Sequence, residues 1–107
     1  RPDVATLTTQ CPQSGASQPV AMDPVTPNTF DTNYYANVAA NRGLLASDQA
    51  LLADNSTAAQ VLGYTLGHAS SPGTFQTDFA SAMVAMGAIG VLTGNQGTIR
   101  TNCRVVG

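Results

Sequence analysis

The fold of this chain depends on residues 22–49, which read MDPVTPNTFDTNYYANVAANRGLLASDQ. The first third of this stretch holds two prolines, whose fixed φ angles stiffen a loop. A helix is predicted over residues 31–41, because Asp31 is a favourable N-cap residue. Arg42 is expected in the last turn of this helix and Gly43 just past its end. The stretch therefore predicts an oxygen-rich loop that leads into a helix.

Four more helices are predicted, over residues 1–10, 48–53, 57–66 and 74–88. Ser47 is expected to cap the second of these. The last one carries an apolar stripe at spacings of three and four residues, formed by Phe75, Phe79, Ala82, Met83 and Met86. Residues 90–107 contain a glycine every few positions and are expected to form an extended arm. No segment alternates strictly between apolar and polar residues, so the predicted fold class is all-α, with separate helices joined by short loops.

Composition limits the partners of the chain. Its 107 residues are enough for one small domain, and only 9% of them are charged, with a net charge of -2. The four basic residues are arginines that do not cluster, which argues against nucleic-acid binding. No apolar run reaches the roughly 18–20 residues that a membrane-spanning helix needs, so no membrane span is expected.

The loop before the helix offers oxygen atoms of the kind that calcium prefers. Asp23, Thr26, Thr29 and Asp31 can supply two carboxylates, a hydroxyl and a backbone carbonyl within nine residues. The spacing differs from that of an EF-hand loop, which needs a central glycine and a terminal glutamate. Composition alone also fits a proline-rich turn in which Asp31 only caps the helix.

Two further positions have a structural interpretation from the sequence alone. Asp48 is a carboxylate in the first turn of a predicted helix, where the helix dipole favours it. Tyr34 and Tyr35 are adjacent on a helix and point about 100° apart, so one is expected in the core and the other partly exposed. We assign neither tyrosine a chemical role from the sequence.

The two cysteines and one sequon are candidate sites of covalent modification. Cys11 and Cys103 could form a single disulfide, closing a loop of about 90 residues and restricting the unfolded chain by roughly 4–5 kcal/mol. Asn55-Ser56-Thr57 is an N-glycosylation sequon, and it falls in a segment predicted to be a loop.

Five stretches together resemble the C-terminal third of the secreted plant haem peroxidases (class III). They are MDPVTP (22–27), FDTNYY (30–35), RGLLASDQAL (42–51), FASAMV with MG (79–84 and 86–87) and LTGNQGTIRTNCRVV (92–106). They occur in the family's order and span nearly the whole chain. The resemblance implies that residues 1–107 are the C-terminal, proximal-side segment of an all-helical haem peroxidase domain, and thus an incomplete domain.

The resemblance also implies cofactors, substrates and location. The parent protein is expected to bind haem b and calcium, to reduce hydrogen peroxide and to oxidise small phenolic donors. It is expected to be secreted, either extracellular or vacuolar, and glycosylated at Asn55. By the same resemblance, Cys11 and Cys103 each pair with a cysteine in the upstream part of the same peroxidase.

Site roles follow from the resemblance residue by residue. Asp23, Thr26 and Asp31 are expected to bind the proximal calcium ion through side chains, and Thr29 through its carbonyl. A further ligand in the family lies next to the proximal histidine, so the isolated chain is expected to bind calcium weakly. Asp48 corresponds to the aspartate that accepts a hydrogen bond from the histidine ligand of the iron.

The chain departs from the family pattern in the residues that surround the haem. It lacks the distal arginine and histidine and the proximal histidine, and its single histidine is His68. His68 follows the aspartate motif, whereas the family's proximal histidine precedes it, so we interpret His68 as an exposed turn residue. The isolated chain is therefore expected to be inactive. The alternative function is that of a non-enzymatic helical fragment that binds calcium or a partner chain.

Overall fold

The computed structural model describes residues 2–15, 18–66 and 74–106, and within these ranges it contains helices and turns but no strand. The helices are α1 (Val4–Gln10), α2 (Asn33–Ala39), α3 (Ala46–Gln49), α4 (Asn55–Thr65) and α5 (Thr74–Gly87), with a 3₁₀ turn at Ala50–Leu52. The all-α prediction is confirmed. The turn predicted around His68 lies outside the described residues. None of the described helices combines the length and the apolar character needed to cross a bilayer.

The chain divides into two compact units, Arg1–Phe75 and Gln76–Gly107. In the first unit, α2 packs against α4. Val38 of α2 and Val61 of α4 are 0% and 2% exposed. A cluster of four aromatic rings extends this core, with centroid distances of 4.9–5.6 Å; its members are Phe30, Tyr35, Tyr64 and Phe75.

Helix α2 begins two residues later than predicted. Its N-cap position is Thr32, whose side chain makes no capping hydrogen bond. Oδ1 of Asp31 accepts the N–H of Asn33 at 3.0 Å, so Asp31 closes a turn before the helix. The prediction of Asp31 as the N-cap is wrong by one position, because its carboxylate bonds to the nearer amide.

The C-terminus of α2 is also earlier than predicted. Asn41 has a φ of 61°, and its N–H donates to the carbonyl of Val38 at 3.0 Å. The N–H of Arg42 donates to the carbonyl of Asn37 at 2.7 Å, which completes a Schellman motif. Asn41, one of the few non-glycine residues that tolerate this conformation, therefore ends the helix in place of Gly43.

Gly43 is required for a close approach. A Cβ atom at this position would lie 2.9 Å from Oε1 and 3.1 Å from the backbone nitrogen of Gln49. The N–H of Gly43 donates to that same Oε1 at 3.0 Å. Gly43 thus allows the segment after α2 to pack closely against α3.

Helix α3 starts before the position predicted from Ser47. Its N-cap position is Leu45, whose N–H is accepted by Oδ2 of Asp48 at 2.8 Å. Ser47 lies within the helix and is exposed. The prediction of Ser47 as the cap is wrong, because the side chain of Asp48, the third residue of α3, accepts the N–H of Leu45 at the N-terminus of the helix.

Helix α4 starts two residues earlier than predicted. Asp54 is its N-cap and accepts the N–H groups of Ser56 at 2.9 Å and Thr57 at 3.2 Å. Asn55 is therefore the first residue of a helix and not part of a loop, although it remains exposed. The strong cap explains the difference, since Asp54 binds the first free amides of the helix.

The second unit consists of most of α5 and the segment after it. Helix α5 agrees with its predicted range to within one residue. Phe79, Met83 and Met86 of the apolar stripe are 43%, 46% and 57% exposed. Residues 90–106, predicted to form an extended arm, contain no helix or strand but are interrupted by turns, and both Gly90 and Gly94 have positive φ angles.

Candidate functional site

Asp23 is the centre of a hydrogen-bond network in the loop. Its Oδ1 accepts the N–H groups of Val25 at 3.0 Å and Thr26 at 3.2 Å. Its Oδ2 accepts the hydroxyl of Thr26 at 2.8 Å. Both Asp23 and Thr26 are half-buried. The loop therefore holds one predicted calcium ligand directly against another.

Two asparagines of α2 attach this loop to the helix. Nδ2 of Asn37 donates to Oδ1 of Asp23 at 3.0 Å, and Nδ2 of Asn33 donates to the Thr26 hydroxyl at 3.2 Å. Asn37 is only 5% exposed. Asn33 and Asn37 lie four residues apart and therefore share one side of α2. Sequence analysis missed both residues. Two asparagines four positions apart, shortly after a loop with two aspartates, were a sequence signal for side-chain donors to that loop.

The ionisation of Asp23 follows from these contacts. Desolvation raises the pKa of its carboxyl, but the hydrogen bonds from Thr26, Val25 and Asn37 together lower the pKa below its ordinary value. Asp23 is therefore anionic at neutral pH, as a calcium ligand must be.

The other predicted calcium ligands lie on the same loop. The N–H of Thr29 donates to the carbonyl of Thr26 at 3.2 Å, which forms a tight turn, and Thr29 is exposed. Asn33 connects the two aspartates, since its N–H donates to Asp31 at 3.0 Å and its amide lies 3.5 Å from Asp23. The loop thus brings oxygen donors to the start of α2.

The donor chemistry of this loop fits calcium. Over the described ranges, no group of three or more histidine, cysteine, aspartate or glutamate side chains forms a metal cluster. The predicted set contains two carboxylates, Asp23 and Asp31, and takes its other oxygens from threonines. Hard oxygen donors of this kind suit calcium and do not suit zinc or copper.

Asp48 is buried and held by two donors. It is 7% exposed. Oδ1 accepts the hydroxyl of Tyr34 at 2.7 Å, and Oδ2 accepts the N–H of Leu45 at 2.8 Å. Nε2 of Gln49 donates to the carbonyl of Val38 at 3.0 Å, which ties α3 to α2. The carboxylate therefore has a fixed position relative to both helices.

Tyr34 is a further residue that sequence analysis missed. Burial raises the pKa of its hydroxyl, and the hydrogen bond to Asp48 and the charge of that carboxylate raise it further. Tyr34 therefore stays protonated and acts as the donor. Tyr34 and Tyr35 are both half-buried, so the prediction that one of them lies in the core is wrong, whereas partial exposure, predicted for the other, holds for both. The contact with Asp48 covers part of the Tyr34 side chain, and the aromatic cluster covers part of the Tyr35 side chain.

Asp48 retains capacity for a third donor. A carboxylate offers about four lone-pair sites on its two oxygens, and two of these are used. A histidine N–H is a suitable donor for one of the remaining sites. Asp48 can therefore accept a further N–H donor.

The cysteines and the sequon lie at the surface. Cys11 directly follows α1, and both Cys11 and Cys103 are exposed free thiols. Both pairings considered from the sequence stay predictions. Asn55 is also exposed.

Comparison with known proteins gives consistent matches. A family model described as Peroxidase matches residues 2–66. Peroxidase 5 of Vitis vinifera is 48% identical over 104 residues, which cover 95% of this chain and 30% of that protein. A basic peroxidase of Zinnia elegans is 47% identical over 98 residues, covering 91% of this chain and 29% of that protein. Peroxidase 15 of Ipomoea batatas is 42% identical over 102 residues, with coverages of 94% and 31%. The chain thus spans about 30% of the length of these relatives.

Proposed function

Because this chain belongs to the peroxidase family and is similar to its plant class III members, we propose that it forms part of a haem peroxidase. The enzyme reduces hydrogen peroxide and oxidises small phenolic donors. Residues 1–107 form the C-terminal, proximal-side segment of its domain, an incomplete domain that is completed by the upstream part of the same peroxidase. The identity of more than 40% over nearly the whole chain supports this assignment.

The observation that carries the proposal is the fixed, buried carboxylate of Asp48. We assign it to accept the N–H of the histidine that ligates the iron of haem b. Such a partner orients the imidazole ring and makes it a stronger ligand. The haem supplies the redox chemistry, and the histidine ligand lies outside this chain. Tyr34 and Leu45 keep Asp48 in place without using all its acceptor capacity.

The loop is proposed to bind calcium. Side chains of Asp23, Thr26 and Asp31 and the carbonyl of Thr29 are the ligands. The anionic state of Asp23 and the clustering of oxygen donors at the start of α2 support this set. The ion's role is structural, because the loop is attached through Asn37 to the helix that also carries Tyr34.

The surface features fit a secreted protein. We propose that Cys11 and Cys103 form disulfides with upstream cysteines and that Asn55 is glycosylated, in an extracellular or vacuolar enzyme. The exposure of both thiols and of the Asn55 side chain supports these modifications, since each needs access from outside the segment.

A substitution at Asp48 tests the function. In the complete haem-loaded peroxidase, Asp48→Asn should keep the haem content and lower turnover with a phenolic donor by roughly 10–100-fold. The control is Asp54→Asn, since Asp54 caps α4 at the surface and should leave turnover unchanged. Equal turnover of Asp48→Asn and the parent enzyme would defeat the role of Asp48.

The alternative function remains a non-enzymatic helical fragment that binds calcium or a partner chain. The exposed apolar side chains of Phe79, Met83 and Met86 favour it, because such a face suits a partner surface. The intact mass of unreduced material from the natural source distinguishes the two. A mass near 10.9 kDa supports the fragment, and a mass several times larger supports the peroxidase.

A further inference from the structure

The hydroxyl of Tyr34 lies 2.7 Å from Oδ1 of Asp48, in a contact between α2 and α3 that spans 14 residues of sequence. We propose that Tyr34 is a positioning residue that orients the Asp48 carboxylate and weakens it as an acceptor for the histidine ligand of the iron. This inference rests on the proposed function of Asp48.

The geometry explains how Tyr34 orients the carboxylate. The terminal torsion of an aspartate is broad, so one hydrogen bond leaves the carboxylate plane free to rotate. Here the two oxygens are held separately, Oδ2 by the N–H of Leu45 and Oδ1 by Tyr34. The two donors come from different elements, the start of α3 and the first turn of α2. Loss of the Tyr34 hydroxyl therefore removes one of the two restraints on the plane.

The charge distribution explains the weakening. A neutral phenol that donates to a carboxylate makes a short, charge-assisted hydrogen bond and draws electron density from the accepting oxygen. The carboxylate then attracts a second donor, the histidine N–H, less strongly. Because electron donation through the histidine favours the ferric state, Tyr34 should raise the reduction potential of the iron above the value that Asp48 alone would set.

Tyr34 can hold this role across the working pH range. Burial and the neighbouring carboxylate both raise the pKa of its hydroxyl, so the phenol remains neutral. The direction of the hydrogen bond is therefore constant, with Tyr34 as donor and Asp48 as acceptor.

The chain provides a matched control at the next residue. Tyr35 is also half-buried, and its ring lies edge-on to that of Tyr34, with centroids 5.1 Å apart. Its own ring contacts are with Tyr64 and Phe75. Tyr35→Phe removes a hydroxyl from the same helical turn and leaves the Tyr34–Asp48 hydrogen bond in place.

The experiment compares Tyr34→Phe, Tyr35→Phe and Asp48→Asn with the parent enzyme, all as complete haem-loaded peroxidase. Spectroelectrochemistry gives the reduction potential of the iron, and resonance Raman spectroscopy gives the frequency of the iron–histidine stretch. Tyr34→Phe should lower the potential and raise the stretching frequency, because the N–H of Leu45 still holds Oδ2 and Asp48 becomes the stronger acceptor; a shift in the opposite direction would refute the weakening. Asp48→Asn should shift both in the opposite direction, and Tyr35→Phe should shift neither.

The outcomes separate this inference from the function on which it rests. If Asp48→Asn shifts both quantities and Tyr34→Phe matches the parent enzyme, the role of Tyr34 is refuted and that of Asp48 stands. If Asp48→Asn also changes nothing, the role of Asp48 is refuted as well. If the Tyr34→Phe variant loses haem, a variant with 3-fluorotyrosine at position 34 is used in its place. Fluorotyrosine is a stronger hydrogen-bond donor of similar shape, so the reduction potential of the iron should rise above that of the parent enzyme. An unchanged potential would refute the proposal.

Discussion

The side-chain amide of Asn37 donates a hydrogen bond to the carboxylate of Asp23, with Nδ2 and Oδ1 3.0 Å apart and the two residues 14 positions apart in sequence. One helix turn earlier, Tyr34 donates to Asp48. Helix α2 therefore contacts both the proposed calcium loop and the proposed haem-side aspartate, through residues three positions apart. The two candidate sites are attached to the same short helix.

Replacement of Asn37 should loosen the loop. Asn37→Ala removes the shorter of the two contacts that α2 makes with Oδ1 of the half-buried Asp23, the 3.0 Å hydrogen bond, and truncates a buried side chain. We expect the free energy of unfolding of the complete peroxidase to fall by roughly 1–3 kcal/mol. Denaturant titration measures this change. Asn28→Ala in the exposed part of the loop is the control, and equal losses for both variants would contradict the importance of the Asn37 contact.

The stability of the folded protein should depend on pH through Asp23. Its pKa is lower in the folded state than the ordinary value of 3.8, so the folded state binds fewer protons than the unfolded state in that range. The resulting stability is fully present above the unfolded pKa and is lost as the pH falls through the folded pKa. Asp23→Asn should therefore lower the free energy of unfolding at neutral pH more than at about pH 3.

Denaturant titrations at the two pH values measure the difference. Asp78→Asn on α5 serves as the control, since Asp78 is exposed. A loss from Asp23→Asn that is the same at both pH values would show that the carboxylate charge of Asp23 does not stabilise the fold.

Two glycine-to-alanine substitutions should have opposite effects. A Cβ at Gly43 meets Oε1 of Gln49 at 2.9 Å and its backbone nitrogen at 3.1 Å, whereas a Cβ at Gly63 meets nothing within 4 Å. Gly43→Ala should destabilise the protein by roughly 1–3 kcal/mol because α3 must move away. Gly63→Ala, inside α4, should stabilise it by up to about 1 kcal/mol. Thermal unfolding of the two variants measures the changes, and a stabilising Gly43→Ala would show that α3 does not approach so closely.

Calcium binding should depend on Asp31. Asp31→Asn removes one of the two carboxylates of the proposed site, and we expect the calcium affinity of the complete peroxidase to fall by about tenfold or more, or at least roughly 1.4 kcal/mol. Titration calorimetry after chelation measures the affinity. Asp78→Asn should bind calcium as the parent does, and an unchanged affinity of Asp31→Asn would remove Asp31 from the ligand set.

The isolated 107-residue chain should bind calcium weakly, because the proposed site lacks the ligand expected next to the proximal histidine. The same calorimetric titration of the chain by itself checks this. Submicromolar affinity would show that the loop forms a complete site without upstream residues.

The helices of this chain were predictable where a local pattern is long or strong. The spacing of Phe75, Phe79 and Met83 predicted α5, whose range agrees to within one residue, because apolar residues three or four positions apart lie on one side of a helix. The ends of α2 were not predictable in this way. Asn41 and Gly43 are both acceptable stop signals, but Asn41 ends the helix, whereas Gly43 allows the close approach of α3.

The residues of the candidate site were likewise predictable only where they lie close together in sequence or resemble the family. The oxygen-bearing residues Asp23 and Thr26 lie close in sequence, so their residue types and spacing alone indicated a shared loop, and the aspartate motif was recognisable from its resemblance to the family. The roles of Tyr34 and Asn37 were not visible, because each acts on a partner 14 residues away.

The amino-acid sequence by itself determined the family, the all-α class and the loop that carries the proposed ligands, since these depend on residue types at short spacings. Only the tertiary structure decided that Asn37 holds Asp23 and that Tyr34 holds Asp48. The physical reason is that hydrogen bonds between separate elements depend on how α2 packs against the loop and α3. That packing is determined by contacts distant in sequence, such as the one between Val38 and Gln49, and no local pattern encodes it.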